Sequence, residues 1–155
     1  MKLAEALILR ADAQKRVEQL RQRLNSNALV QEGETPAEDP QALMAEFEEV
    51  ADQLTWLVRQ INATNGATLL QEGITVADAL AERDTLKLKH SVYSGLAQAA
   101  AGQQMRYSRS EIRLQSTVTV TEIQAQADQL ARRHRELDTQ IQAANWLTDL
   151  IETLH

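Results

Sequence analysis

The chain has 155 residues, of which 16 are Lys or Arg and 22 are Asp or Glu, so its formal net charge is −6. It contains no cysteine, which excludes disulfides, zinc–thiolate sites and a cysteine nucleophile. The acidic balance argues against nucleic acid as a partner, because nucleic-acid-binding proteins usually present a basic face. Hydrophobic residues make up 43% of the chain, which fits one globular domain over residues 1–155.

The first two predicted helices lie on either side of a connector that contains glycine and proline. Helix 1 runs from about Leu3 to Asn25. Helix 2 begins after Asp39, which caps it ahead of Pro40, and ends before Gly66. The apolar residues of helix 2 recur at steps of four and three, a heptad pattern typical of helices packed side by side: Leu43, Phe47, Val50, Leu54, Leu57 and Ile61.

The charges of these two helices predict that they pair. Residues 2–24 carry six basic and three acidic side chains, whereas residues 32–52 carry eight acidic and none that is basic. Helices joined by a short connector pack antiparallel, so opposite charges are expected to flank the apolar seam.

The third and fourth helices are also predicted from capping residues and apolar spacing. Helix 3 begins after Thr75, which forms a capping box with Asp78, and ends at Gly102. Its predicted core stripe is Val76, Leu80, Leu88, Val92 and Leu96. Helix 4 begins near Thr119 and has about 34 residues, a length of about 51 Å. Its predicted stripe is Ile123, Ala127, Leu130, His134, Leu137, Ile141, Ala144, Thr148 and Ile151.

Three connecting segments have the pattern of short strands. Residues 112–120 alternate between apolar and polar types, and residues 28–31 and 67–70 each precede a Gln-Glu-Gly turn. The predicted fold is therefore mainly α, a four-helix antiparallel bundle with a long C-terminal helix and a small β element in the connectors.

The densest polar segment is a candidate ligand site. Tyr107, Arg109, Glu111 and Arg113 lie within seven residues between a helix and a predicted strand. Arginine forks suit carboxylate or phosphate, so one hypothesis is a pocket for a small anionic ligand. The structural alternative is a loop held by Arg–Glu pairs.

A second group consists of polar residues on the apolar stripes: Arg83, Asp84, His134 and Asp138. Buried charges need partners, so these residues are predicted to form a buried network that fixes helix register. The alternative is an acid/base or metal site. A di-iron bundle needs two Glu-x-x-His motifs, and only Glu152 to His155 matches, so we reject that site. The sequence also has no complete catalytic set, so we expect no metal, no cofactor and no catalytic residue.

Two tryptophans, Trp56 and Trp146, are the largest apolar side chains of a chain that is only 3% aromatic. Each fits an ordinary core position. An exposed tryptophan would be a good interface anchor.

Several segments together resemble one group of small bacterial proteins, labelled septicolysin-like, over nearly the full length. They are residues 1–7, 31–33 with 36–40, 78–84, 107–113, and 136–139 with Asn145 and Trp146. The resemblance implies a helical protein with no established catalytic residue. The label suggests a cytolysin, but the chain has no cysteine and no lysine-rich amphipathic helix of the kind that damages membranes.

These observations favour a non-enzymatic helical scaffold or interaction protein that acts as a homo-oligomer. The alternative is an anion-binding protein or enzyme that uses residues 107–113, and a third hypothesis is membrane damage. The apolar start is interrupted by Glu5 and Arg10, unlike a signal peptide, and no apolar run is long enough to cross a bilayer. We therefore expect a cytoplasmic protein with no membrane partner.

Overall fold

A computed structural model describes residues 1–102 and 113–153. Its helices are α1 (Leu3–Ser26), α2 (Pro40–Ala67), α3 (Val76–Ala100) and α4 (Val120–Leu147), and its strands are β1 (Leu69–Gln71) and β2 (Ile74–Thr75). The chain divides into two compact units: unit 1 holds Met1–Thr68 and the residues from Ala144 onward, and unit 2 holds Leu69–Ala143. The predicted mainly α fold with four helices and a small β element is confirmed.

The helix starts are set by local capping, as predicted. The Asp39 carboxylate accepts a hydrogen bond from the Gln41 backbone N–H at 3.0 Å, just ahead of Pro40. At the start of α3, the Thr75 hydroxyl accepts from the Asp78 N–H at 3.1 Å, and the Asp78 carboxylate accepts from the Thr75 N–H at 2.9 Å. These two bonds satisfy donors that a helix N-terminus leaves unpaired. The bonds from Thr75 also hold the pKa of Asp78 below its usual range.

The β element is a two-stranded antiparallel hairpin, in which Leu69 pairs with Thr75 and Gln71 with Ile74. Gly73 turns the chain between the strands at φ +74°, a conformation that favours glycine. The strand predicted at residues 67–70 is therefore present, shifted to Leu69–Gln71. The strand predicted at 28–31 is wrong, and so is the strand predicted at 112–120 over residues 113–119, because no neighbouring segment among the described residues pairs with either.

Unit 1 is built around the antiparallel pair of α1 and α2. One buried cluster joins Leu3 and Ala6 of α1 to Leu57 and Ile61 of α2, and it also takes in Leu150. The second buried cluster consists of Ala13, Leu20, Leu43 and Val50. Ion pairs flank this seam, as the charges predicted: Arg16 Nη2 lies 2.6 Å from Glu46 Oε1, and Arg23 Nε lies 3.1 Å from Glu38 Oε2.

The end of α4 differs from the prediction. The helix stops at Leu147 after 28 residues, and the next residues pair with the start of the chain. The Leu3 N–H donates to the Thr148 carbonyl at 3.0 Å, and the Leu150 N–H donates to the Met1 carbonyl at 2.9 Å. These bonds and the burial of Leu150 replace the further helical turns that the sequence pattern predicted, so Thr148 and Ile151 are not on a helical stripe.

Unit 2 contains α3 and most of α4. Within that unit the predicted stripe of α4 is confirmed, because Ala127 and Ile141 are buried and the stripe residues between them are half-buried. The predicted stripe of α3 is wrong for its second half. Val76 is buried and Leu80 half-buried, but the side chains of Leu88, Val92 and Leu96 are 65%, 61% and 39% exposed.

Candidate functional site

The segment predicted to bind an anion falls almost entirely outside the described residues. Tyr107, Arg109 and Glu111 lie in residues 103–112. Arg113 is described, and its side chain is exposed. Anion binding by these four residues stays a prediction.

Arg83 and Asp138, two of the four residues predicted to form a polar network, join α3 to α4. Arg83 Nη1 lies 2.9 Å from Asp138 Oδ1, and the side chains are 25% and 39% exposed. Asp84 differs from the expectation of burial: its side chain is 75% exposed, and its Oδ1 lies 3.5 Å from Arg83 Nη2. His134 is half-buried and hydrogen-bonds to none of the described residues.

Two ion pairs join α3 to α4. Besides the Arg83–Asp138 pair, Glu82 Oε1 of α3 lies 3.4 Å from Arg133 Nη2 of α4. The first contact joins the N-terminal half of α3 to the C-terminal half of α4, and the second joins the same part of α3 to the middle of α4. Because Arg83 and Arg133 each have a carboxylate partner on the other helix, these two contacts have the character of interhelical ties. Within residues 1–102 and 113–153, no three His, Asp or Glu side chains converge to hold a metal ion.

The two tryptophans have different surroundings. Trp56 is half-buried and packs against the cluster of Leu3, Leu57 and Leu150. Trp146, in the last turn of α4, is 55% exposed. Trp146 is therefore the tryptophan that meets the condition for an interface anchor.

The clearest surface feature that the sequence reasoning missed is a set of apolar side chains on the outer face of α3. We call Leu88, Val92 and Leu96 the α3 stripe; they are four residues apart and share one side of the helix. The opposite side carries the buried residues Val76, Ala79, Leu86 and Ala97. The signal was present in the sequence, since Ala79, Leu86 and Ala97 define a second apolar face at helical spacing.

Two exposed ion pairs perturb the titration of carboxylates in unit 1. The hydrogen bond from Arg23 holds the pKa of Glu38 below its usual range, and the hydrogen bond from Lys2 does the same for Asp149. Lys2 also donates from Nζ to the Leu147 carbonyl at 3.1 Å, which caps the end of α4. Both carboxylates therefore favour the folded state only while they are ionised.

We expect the Arg23–Glu38 pair to make stability depend on pH. Because the pKa of Glu38 is lowered by folding, its contribution is present above the unfolded pKa and is lost as the pH falls through the folded value. Glu38→Gln should therefore lower the melting temperature near pH 6, and this difference should shrink as the pH falls from the ordinary pKa of glutamate, about 4.3, toward pH 3.

The control for this prediction is Glu34→Gln, in the same connector, because Glu34 forms no salt bridge with the described residues. Thermal unfolding followed by circular dichroism at both pH values gives the comparison. A Glu38→Gln difference that is the same at pH 6 and pH 3 would contradict the role of the ion pair.

No helix among the described residues has the length and apolar composition needed to cross a bilayer.

Comparisons with known proteins agree with this fold. A family of unknown function, DUF6847, matches residues 10–150. The crystal structure of a functionally unknown conserved protein from Corynebacterium diphtheriae is similar to this chain, with 47% sequence identity and a TM-score of 0.94. The similarity covers 97% of this chain and 99% of that chain. No curated protein matches.

The resemblance to septicolysin-like proteins finds no support in these comparisons and stays a prediction. The family match nevertheless spans most of the sequence. The chain therefore belongs to DUF6847, a family of unknown function.

Proposed function

We propose that this protein is a scaffold or interaction protein that acts as a homo-oligomer through the α3 stripe. The observation that carries the proposal is the exposure of Leu88, Val92 and Leu96 on one face of α3. A helix at the surface of a globular protein normally carries polar residues opposite its buried face. Here both faces are apolar, a pattern typical of a helix that is covered on two sides.

The composition of α3 supports a second copy of the chain as the occupant. Residues 91–100 contain no charged side chain, in a protein whose composition is 25% charged. Two copies that each carry a net charge of −6 repel one another least where their surfaces are neutral. A two-fold antiparallel contact centred near residue 94 places residues 91–100 of one copy against the same residues of the other. A closed two-fold pair is also the commonest form of homo-oligomer.

Small residues beside the α3 stripe favour close helix packing. Ser91, Gly95 and Ala99 recur every four residues, and all three are exposed. Apart from its chain neighbours and the backbone of its own helix, no atom of the described residues lies within 4 Å of the position that a Cβ at Gly95 would occupy, so the surface there is open. In a two-fold pair, the large side chains of one copy would fill the space above the small residues of the other.

The test is the mass of the protein in solution. We expect the parent protein to sediment as an oligomer at tens of micromolar and Val92→Lys to sediment as a monomer. Val92 is 61% exposed, so the substitution removes the apolar contact without disturbing the buried face of α3. The circular dichroism spectrum should therefore stay that of the parent protein.

A matched control is Leu29→Lys, which adds the same charge at a leucine that is 90% exposed in the connector between α1 and α2. This variant should keep the mass of the parent. A parent protein that is strictly monomeric at tens of micromolar would remove the proposal, and so would a Val92→Lys variant that stays oligomeric.

A further inference from the structure

A cleft of about 340 Å³ lies between the C-terminal half of α3 and the N-terminal half of α4, within unit 2. Its volume is at the lower end of the range for small-molecule sites. The side chains that line it come from two turns of α3 and three of α4: Lys89, Tyr93, Gln126, Gln129, Leu130 and Arg133.

The charge of this cleft is opposite to that of the protein. Two of the six lining residues, Lys89 and Arg133, are cations, and none is acidic, although the chain as a whole has a net charge of −6. Among the described residues, Glu82 contacts this lining: its Oε1 is 3.4 Å from Arg133 Nη2. That contact is long for a charge-assisted hydrogen bond, and both side chains are about half exposed, so an incoming anion competes with a weak partner.

The remaining lining residues supply further donors and an apolar wall. Tyr93 brings a hydroxyl, and Gln126 and Gln129 each bring an amide group. Among the residues that the structure describes, none of these three groups is hydrogen-bonded. Leu130 and Tyr93 are half-buried, and they give the cleft lining its apolar part.

We propose that this cleft binds a small organic anion, in which a phosphate or carboxylate group is attached to an apolar ring or chain. Arg133 and Lys89 hold the charged oxygens, and Tyr93 and Leu130 contact the apolar part. A guanidinium fork matches two oxygens of either anion, and the ammonium group adds a point charge. The proposal goes beyond self-association, because it uses none of the residues of the α3 stripe.

The experiment is a calorimetric titration of the full chain at low ionic strength with phenyl phosphate, with benzoate and with neutral benzyl alcohol. We expect at least one of the two anions to bind with a Kd below about 1 mM, and benzyl alcohol to bind much more weakly. The tighter of the two anions identifies which charged group the cleft prefers. The double variant Lys89→Gln, Arg133→Gln should weaken that anion by about tenfold or more, because two charged donors are removed.

The matched control is Lys87→Gln, Arg132→Gln, which removes the same charges from the same helices but outside the cleft lining. We expect its affinity to stay close to that of the parent protein. No binding of either anion near 1 mM would overturn the proposal, as would an equal loss in both double variants or equal binding of benzyl alcohol. Thermal unfolding of both variants verifies that they are folded, and solution mass reports separately on the α3 stripe.

Discussion

Replacing Leu57 by alanine is expected to lower the free energy of unfolding by about 2–5 kcal/mol, the usual cost of removing a fully buried leucine. Leu57 is only 1% exposed and lies in the cluster that joins α1, α2 and Leu150. The neighbours come from three separated stretches of sequence, so they cannot close the cavity without moving a helix. For a chain of this size the melting temperature should fall by about 4–20 °C.

Chemical denaturation measures this loss directly. Leu29→Ala is the control, because Leu29 is 90% exposed and makes no contribution to the core. It should change the free energy of unfolding by less than about 0.5 kcal/mol. Equal and small losses in the two variants would contradict the position of Leu57 in the core.

The second large effect is expected at Thr64, a fully buried polar residue of α2. Its hydroxyl donates to the Gln60 carbonyl at 2.8 Å and accepts the Ile151 N–H at 2.9 Å. Thr64→Val keeps the shape of the side chain but leaves the N–H of Ile151 without its acceptor. Because Ile151 itself is 40% exposed, water can reach this donor, so we expect the loss of an ordinary hydrogen bond, about 0.5–1.5 kcal/mol, and faster hydrogen exchange at Ile151.

Thr55→Val is the matched control. Thr55 is on the same helix, and its hydroxyl donates to the Ala51 carbonyl at 3.0 Å, but it is exposed and holds no residue of the C-terminal segment. Its replacement should leave Ile151 exchange unchanged. If the two variants destabilise the protein equally, Thr64 is not the residue that anchors the segment.

Features set by neighbouring residues could be predicted from the sequence. The caps formed by Asp39 and by Thr75 with Asp78 depend on residues no more than three apart. The pairing of α1 with α2 followed from charge blocks along two adjacent helices. In these cases the same residues that suggested the feature also form it.

Features set by distant residues could not be predicted. The end of α4 at Leu147 depends on bonds to Met1 and Leu3, nearly the whole chain away. The inward face of α3 was misassigned because the helix has two apolar faces, and periodicity alone does not tell which one is covered. The alternation of apolar and polar residues across 112–120 predicted a strand. A strand also needs a neighbouring strand to pair with, and the pattern does not show whether one is present.

The same limit applies to the candidate sites. The Arg83–Asp138 contact joins residues 55 apart, so the sequence named both residues but not their pairing. The cleft residues Lys89 and Arg133 are also on different helices, and neither belongs to a recognisable motif. A site formed by side chains from two helices can be identified only when the register of the two helices is known.

The contact between the start of the chain and residues 148–150 also sets an order of events during synthesis. The Leu3 N–H and the Met1 carbonyl find their partners only after Thr148 and Leu150 have left the ribosome. At ordinary elongation rates this delay is about 7–30 s. Until then α1 and α2 can pair, but Leu150 does not yet cover the apolar surface around Leu3 and Ile61.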